Sequence, residues 1–255
     1  MSARLRFTPR LALVFFFAVV LLAMPARAGE AQIAVAANFK PTLDALETTF
    51  EAKSSHTLVV TSGSTGKLYA QIRNGAPFDL FLAADQDRPS RLNASGAAVD
   101  GSRFTYAIGQ LALWAPNADV IGPDELARGD FRRLAIANPD LAPYGAAARQ
   151  VIAALHLAET TSGNLIFGEN IGQAFAFVRT GNAELGFVAL SQILSMSEAS
   201  RGAYWTPPQE LYDPVRQDAV LLARGRDNST AIAFIEFLKS DEAAAIIESH
   251  GYQTP

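Results

Sequence analysis

Two turns in this chain set free backbone donors beside hydroxyl or amide side chains. Ser62-Gly63-Ser64-Thr65-Gly66 runs directly into a helical pattern at Lys67–Arg73. Ser and Thr next to Gly at a helix start combine unpaired N–H groups, hydroxyl donors and the positive end of the helix dipole. That combination suits an anion. Upstream, Val35-Ala36-Ala37-Asn38-Phe39-Lys40 repeats the plan: an apolar strand, a polar residue, then a helical pattern. Two strand-to-helix turns with neutral donors point to a pocket for a small oxyanion. Taken singly, Asn38, Ser64 and Thr65 read first as helix caps, because capping favours the same residue types. Two such turns side by side give the ligand reading its weight.

Catalytic readings of the same loop fail on spacing. GSTGK is not a phosphate loop, since Leu68 and not Ser or Thr follows Lys67. Ser64-Thr65-Gly66-Lys67 fits SxxK, so a secreted serine hydrolase using Ser64 and Lys67 is an alternative. The SDN and KTG partners and a GxSxG elbow are absent. With no Cys, thiolate chemistry and disulfides are excluded, and His56, His156 and His250 show no metal-ligand spacing. No catalytic residue and no cofactor are assigned.

The elements that must position these turns alternate regularly. Strands at Gln32–Ala36, His56–Val60 and Phe78–Ala83 alternate with helices at Pro41–Ala52, Lys67–Arg73 and Arg88–Leu92. This rhythm predicts parallel strands covered by helices. Thr105–Trp114 is too long for one short strand and reads as a crossing between lobes. Beyond it, a strand at Leu134–Ala137 precedes a helix at Tyr144–Leu155, and helices follow at Ile171–Arg179 and Leu190–Met196. Trp205-Thr206-Pro207-Pro208 reads as the return linker. The fold class is α/β, with two lobes meeting in a ligand cleft: 29–108 plus 213–255 as lobe I, and 109–212 as lobe II. Ligands in such folds sit where helix N-termini converge beyond the strand ends. In lobe II that selects Tyr144, after Asn138-Pro139-Asp140-Leu141-Ala142-Pro143, and the N–H of Ile171, after Gly168-Glu169-Asn170. From spacing alone Tyr144 reads first as a side chain packed on the lobe surface; the ligand reading instead turns its hydroxyl and N–H into the cleft.

Residues 1–28 read as a cleaved export signal: Arg4, Arg6 and Arg10, an apolar run from Leu11 to Met24, then Ala26-Arg27-Ala28. Losing these four arginines takes the formal charge from −4 to −8. Such an acidic chain is a poor partner for nucleic acid or an anionic membrane, and holds any anion by local donors.

The order VAANF, GSTGKLYAQIRNGAPFDLFLAADQ, LAIANPDLAPYGAAARQVI and GENIGQAFAFVRTGNAELGFVALSQI resembles the periplasmic molybdate-binding proteins of ABC importers. The resemblance spans residues 29–255 and implies the type II periplasmic-binding fold, with two α/β lobes and a hinge closing on a tetrahedral oxyanion. It implies contacts from Asn38 and Ala37, from Ser64 or Thr65, and from Tyr144 and Ile171. Some members carry a ligand Tyr where this chain has Ala189; a second subgroup, which this chain resembles more, uses the Asn and the Pro-adjacent Tyr. The implied ligand is molybdate or tungstate, with molybdenum present only as that oxyanion. The implied partner is an ABC importer permease, and the implied state a periplasmic monomer without enzymatic activity. A donor-only pocket suits fully deprotonated oxyanions and disfavours phosphate, which keeps a proton and calls for an acceptor. Sulfate or thiosulfate is the alternative cargo.

Overall fold

The structure, a computed structural model, describes residues 29–255. The export signal expected at residues 1–28 lies outside the described residues. Lobe I begins with β1 (Glu30–Ala36), α1 (Lys40–Ala52), β2 (Thr57–Gly63), α2 (Thr65–Arg73), β3 (Leu80–Leu82), α3 (Asp87–Ala94) and β4 (Phe104–Gly109). After Gln110 the chain enters lobe II: β5 (Leu111–Ala115), α4 (Pro123–Arg128), β6 (Leu134–Ala137), α5 (Pro143–Ala154), α6 (Ala158–Ser162), β7 (Leu165–Gly168), α7 (Ile171–Arg179), β8 (Leu185–Ala189), α8 (Leu190–Leu194) and β9 (Ala203–Trp205). It returns to lobe I as β10 (Val215–Leu221), α9 (Ser229–Leu238) and α10 (Asp241–Ser249). Each lobe is built on one five-stranded sheet, ordered β2-β1-β3-β10-β4 and β7-β6-β8-β5-β9.

Strands β1, β2 and β3 run parallel, as their alternation with helices predicts, but each sheet as a whole is mixed. Strand β10 lies between β3 and β4 and runs antiparallel to both. The reason is the double crossing. Strand β4 leaves lobe I at the hinge, and the returning chain enters at that same end, so β10 must run the opposite way. Strand β5 starts at the hinge and is antiparallel to β8 for the same reason. The long apolar run at 105–114 therefore divides at Gly109 and Gln110 into strands of different sheets. Trp205 ends β9, which moves the return linker to residues 206–214. Strand β7 escaped the sequence reading because it is a four-residue edge strand with Phe167 exposed.

Apolar periodicity seats the helices. In α1, Leu43, Leu46 and Phe50 recur on one face and are buried, and Pro41 occupies the first turn, where its missing N–H costs nothing. Lobe I packs one core on each face of its sheet, one around Phe39, Leu43 and Phe234, the other around Leu68, Phe81 and Leu92. The lobe II core holds Trp114, stacked on Phe175 with centroids 4.8 Å apart, and Phe187. Among the described residues, no helix is long and apolar enough to cross a membrane.

Candidate functional site

Strand register brings the turns together. In lobe I, Ala36 pairs with Gly63 across β1 and β2, and Val35 with Leu82 across β1 and β3. The residues that follow, Ala37-Asn38, Ser64-Thr65 and Ala84, therefore emerge side by side. In lobe II, Ala137 pairs with Gly168, so the loops leading to α5 and α7 open at one level. The lobes face each other with these ends together. Between them lies a small cavity of about 10 Å³, lined by Ala37, Asn38, Ser64, Thr65, Tyr144 and Ile171 together with Ala36, Gly63, Ala84, Ala142, Pro143 and Asn170. All six residues singled out in the sequence meet there.

Donors without protein acceptors line the cavity. Tyr144 and Ile171 sit in the first turns of α5 and α7, where no intrahelical acceptor exists for the N–H. Ser64 caps α2, its Oγ accepting from the N–H of Lys67 at 3.4 Å. Thr65 Oγ1 accepts from the N–H of Ala84 at 3.2 Å. Both hydroxyls are buried, and each keeps its own O–H hydrogen to donate. Among the described residues, no ionised side chain lines the cavity. The starts of α1, α2, α5 and α7 all adjoin it, so the helix dipoles add positive potential without a formal charge.

The Asn38 side chain is not a helix cap, and its amide hydrogens are turned to the protein interior. The N-cap of α1 is Phe39, with no side-chain cap. Both hydrogens of Asn38 Nδ2 are engaged, on Gln217 Oε1 at 2.8 Å and Tyr252 Oη at 3.1 Å. Its backbone N–H is the donor left without a protein partner. The Tyr144 hydroxyl accepts from Gln217 Nε2 at 3.4 Å beside the hinge. Ala189, at the end of β8, is fully buried and gives its N–H to Gln192 Oε1 at 3.1 Å.

Behind the cavity lies a buried polar network that the sequence reading missed. Ser191 Oγ of lobe II donates to Tyr252 Oη at 2.9 Å, and Tyr252 Oη donates to the Asn38 carbonyl at 2.9 Å. Tyr106 Oη donates to Gln217 Oε1 at 3.2 Å. Gln217 and Asp218, two polar residues inside the apolar strand β10, were the available signal. Burial pushes the phenols of Tyr144 and Tyr106 well above their usual range and that of Tyr252 up to about 12, so all three stay neutral donors.

Lys67 does not serve Ser64. Its Nζ pairs with Glu169 Oε2 at 2.6 Å across the mouth of the cleft, and among the described residues the one hydrogen-bond partner of Ser64 Oγ is the backbone N–H of Lys67. Ser64 has no general base. No cluster of three or more His, Asp or Glu able to hold a metal cation occurs among the described residues.

Known proteins match along nearly the full described length. Residues 31–253 fit the family described as bacterial extracellular solute-binding protein. The molybdate-binding protein ModA of Azotobacter vinelandii is 47% identical over 234 residues, 91% of this chain and 93% of that protein. Its namesake from Rhodobacter capsulatus is 45% identical, covering 91% and 92%. The solved Azotobacter vinelandii periplasmic molybdate-binding protein superposes with a TM-score of 0.84 at 38% identity, over 88% of this chain and 99% of that one. A sulfate-binding protein from Mycobacterium tuberculosis, at 14% identity and a TM-score of 0.74, shares the fold. Two mixed α/β sheets, a hinge crossed twice and a donor-lined interlobe cavity are thus joined to a match over residues 31–253: the chain belongs to the bacterial extracellular solute-binding protein family.

Proposed function

We propose that this protein captures molybdate or tungstate in the periplasm and hands it to an ABC importer. The observation that carries the reading is the chemistry of the cavity wall: hydroxyl and backbone donors, four helix starts and no ionised side chain. A dianion with no proton of its own satisfies buried O–H and N–H groups that otherwise lack acceptors. A monoprotonated phosphate would set its own hydrogen against a wall without a carboxylate. The similarity to molybdate-binding proteins at 47% and 45% identity supports the same cargo. Asn38, Ala37, Ser64, Thr65, Tyr144 and Ile171 are the proposed contacts, with Asn38, Tyr144 and Ile171 acting through the backbone and Ser64 and Thr65 through hydroxyls. Both halves of the pocket come from one polypeptide, so one chain suffices. Closure of the lobes on the anion is the functional step, and the closed shape is what the permease reads.

Isothermal calorimetry of residues 29–255 with molybdate, tungstate, sulfate and phosphate tests this. Submicromolar binding of the first two with phosphate silent is the expected result. Tight sulfate binding without molybdate heat would transfer the chain to the sulfate or thiosulfate carriers.

A further inference from the structure

Three contacts cross the mouth of the cleft outside the anion cavity. The N–H of Gly66 donates to the Leu141 carbonyl at 2.9 Å. Arg88 Nη2 donates to the Asp140 carbonyl at 3.2 Å, and Lys67 Nζ pairs with Glu169 Oε2 at 2.6 Å. All three run from lobe I donors to lobe II acceptors. Arg88 is also tied within lobe I to Asp85, whose carboxyl burial raises in pKa and the guanidinium lowers. A guanidinium anchored this way is held ready for the carbonyl opposite.

Gly66 shows what the contact demands. Its φ is not positive, and it lies in the first turn of α2, where Ala is acceptable to the backbone. No backbone of lobe I stands among the nearest neighbours of a side chain at this position. A methyl group there would stand 3.0 Å from the Leu141 carbonyl oxygen and 3.1 Å from its Cα, closer than ordinary van der Waals contact, and 3.2 Å from Arg88 Nη2. Two of these three neighbours are backbone of the other lobe.

We propose that Gly66, Lys67 and Arg88 with Leu141, Asp140 and Glu169 form a clasp that holds the lobes shut and sets how long the anion is retained. The clasp rests on the anion-carrier reading and adds to it a set of positioning residues that do not touch the ligand. Gly66 is the permissive position, since a side chain there would push the Leu141 backbone away by a few tenths of an ångström and loosen the contact. Lys67–Glu169 is half exposed and therefore weakens with salt.

Stopped-flow chase of bound molybdate from wild type, G66A and E169Q, with ligand-free Tm alongside, tests the clasp; the best-retained anion of the calorimetric panel replaces molybdate if another binds better. G66A should release the anion about three- to tenfold faster, the equivalent of one lost hydrogen bond. Its ligand-free Tm should stay at or above wild type, since the methyl meets fixed backbone only in the closed form and, within lobe I, only the flexible end of Arg88. E169Q should release it about two- to fivefold faster, with the difference vanishing in high salt. Wild-type off-rates in both variants would overturn the clasp while leaving the carrier reading intact. A lowered ligand-free Tm in G66A would assign Gly66 to lobe I packing and overturn it too. A wild type that retains no anion in the panel would overturn both readings.

Discussion

The Tyr144 hydroxyl occupies the space into which a side chain on Gly109 would project. Gly109 ends β4, one residue before the chain crosses into lobe II, so a phenol from α5 is packed against the hinge itself. Gly109→Ala would overlap both the phenol and Gln217 Nε2. Overpacking of this kind costs about 1–3 kcal/mol, and it falls on the closed arrangement, in which Tyr144 and the hinge meet. Calorimetry should show oxyanion affinity weakened by a comparable amount. Unchanged affinity would mean that closure does not depend on this contact.

Ser64 and Thr65 differ in what else they hold. Ser64→Ala removes one donor and the cap of α2; Thr65→Val removes one donor and the acceptor for the Ala84 N–H. Each should lower oxyanion affinity by about 1–3 kcal/mol, the range for hydrogen bonds to a charged group. Measuring both by calorimetry settles the choice left open in the sequence. Loss in only one variant identifies the single contacting hydroxyl.

Asn38→Ala is expected to act on the fold as well as on the ligand. Its Nδ2 joins Gln217 and Tyr252 in a fully buried network, and removal leaves those groups short of a partner. Urea unfolding of the ligand-free protein should show a loss of about 1–3 kcal/mol. Full ligand-free stability combined with lost affinity would restore the side chain as a direct ligand donor.

Alkaline pH should unfold the protein cooperatively. The phenols of Tyr106, Tyr144, Tyr212 and Tyr252 are raised by burial, that of Tyr252 to about 12. A raised pKa means that the folded state keeps its protons while the unfolded chain loses them. The stability from this source is fully present below about pH 10 and is lost as pH rises from there towards 12. Each such group contributes at most about 1.4 kcal/mol per pH unit in that window. Urea midpoints taken at pH 9, 10.5 and 11.5 should fall steeply, with phenolate absorbance rising together with unfolding. Midpoints flat across the window would remove the buried phenols as a source of stability.

Much of the cavity was legible because it depends on local chemistry. Gly and hydroxyl residues at a strand-to-helix turn advertise free donors wherever they occur, and Pro143 marks the start of α5 without reference to the rest of the chain. Element types followed from apolar periodicity, as in α1. The direction of β10, the edge strand β7 and the boundary at Gln110 were not legible, because each depends on which strand lies alongside. The side-chain partners of Asn38 and Tyr144 were not legible for a related reason: Gln217 is 179 residues away from one and 73 from the other.

By itself, the sequence determined the α/β character, the alternation of strand and helix, the positions of the donor-bearing turns and the lack of thiol chemistry. These follow from residue type and short-range spacing. The tertiary structure alone decided that Ser64 and Thr65 face Tyr144 and Ile171 across one cavity, that Lys67 meets Glu169 instead of activating Ser64, and that Gly66 lies against the Leu141 backbone. Those are relations between lobes built from distant segments. Only strand register and two crossings of the hinge bring such segments within hydrogen-bonding distance.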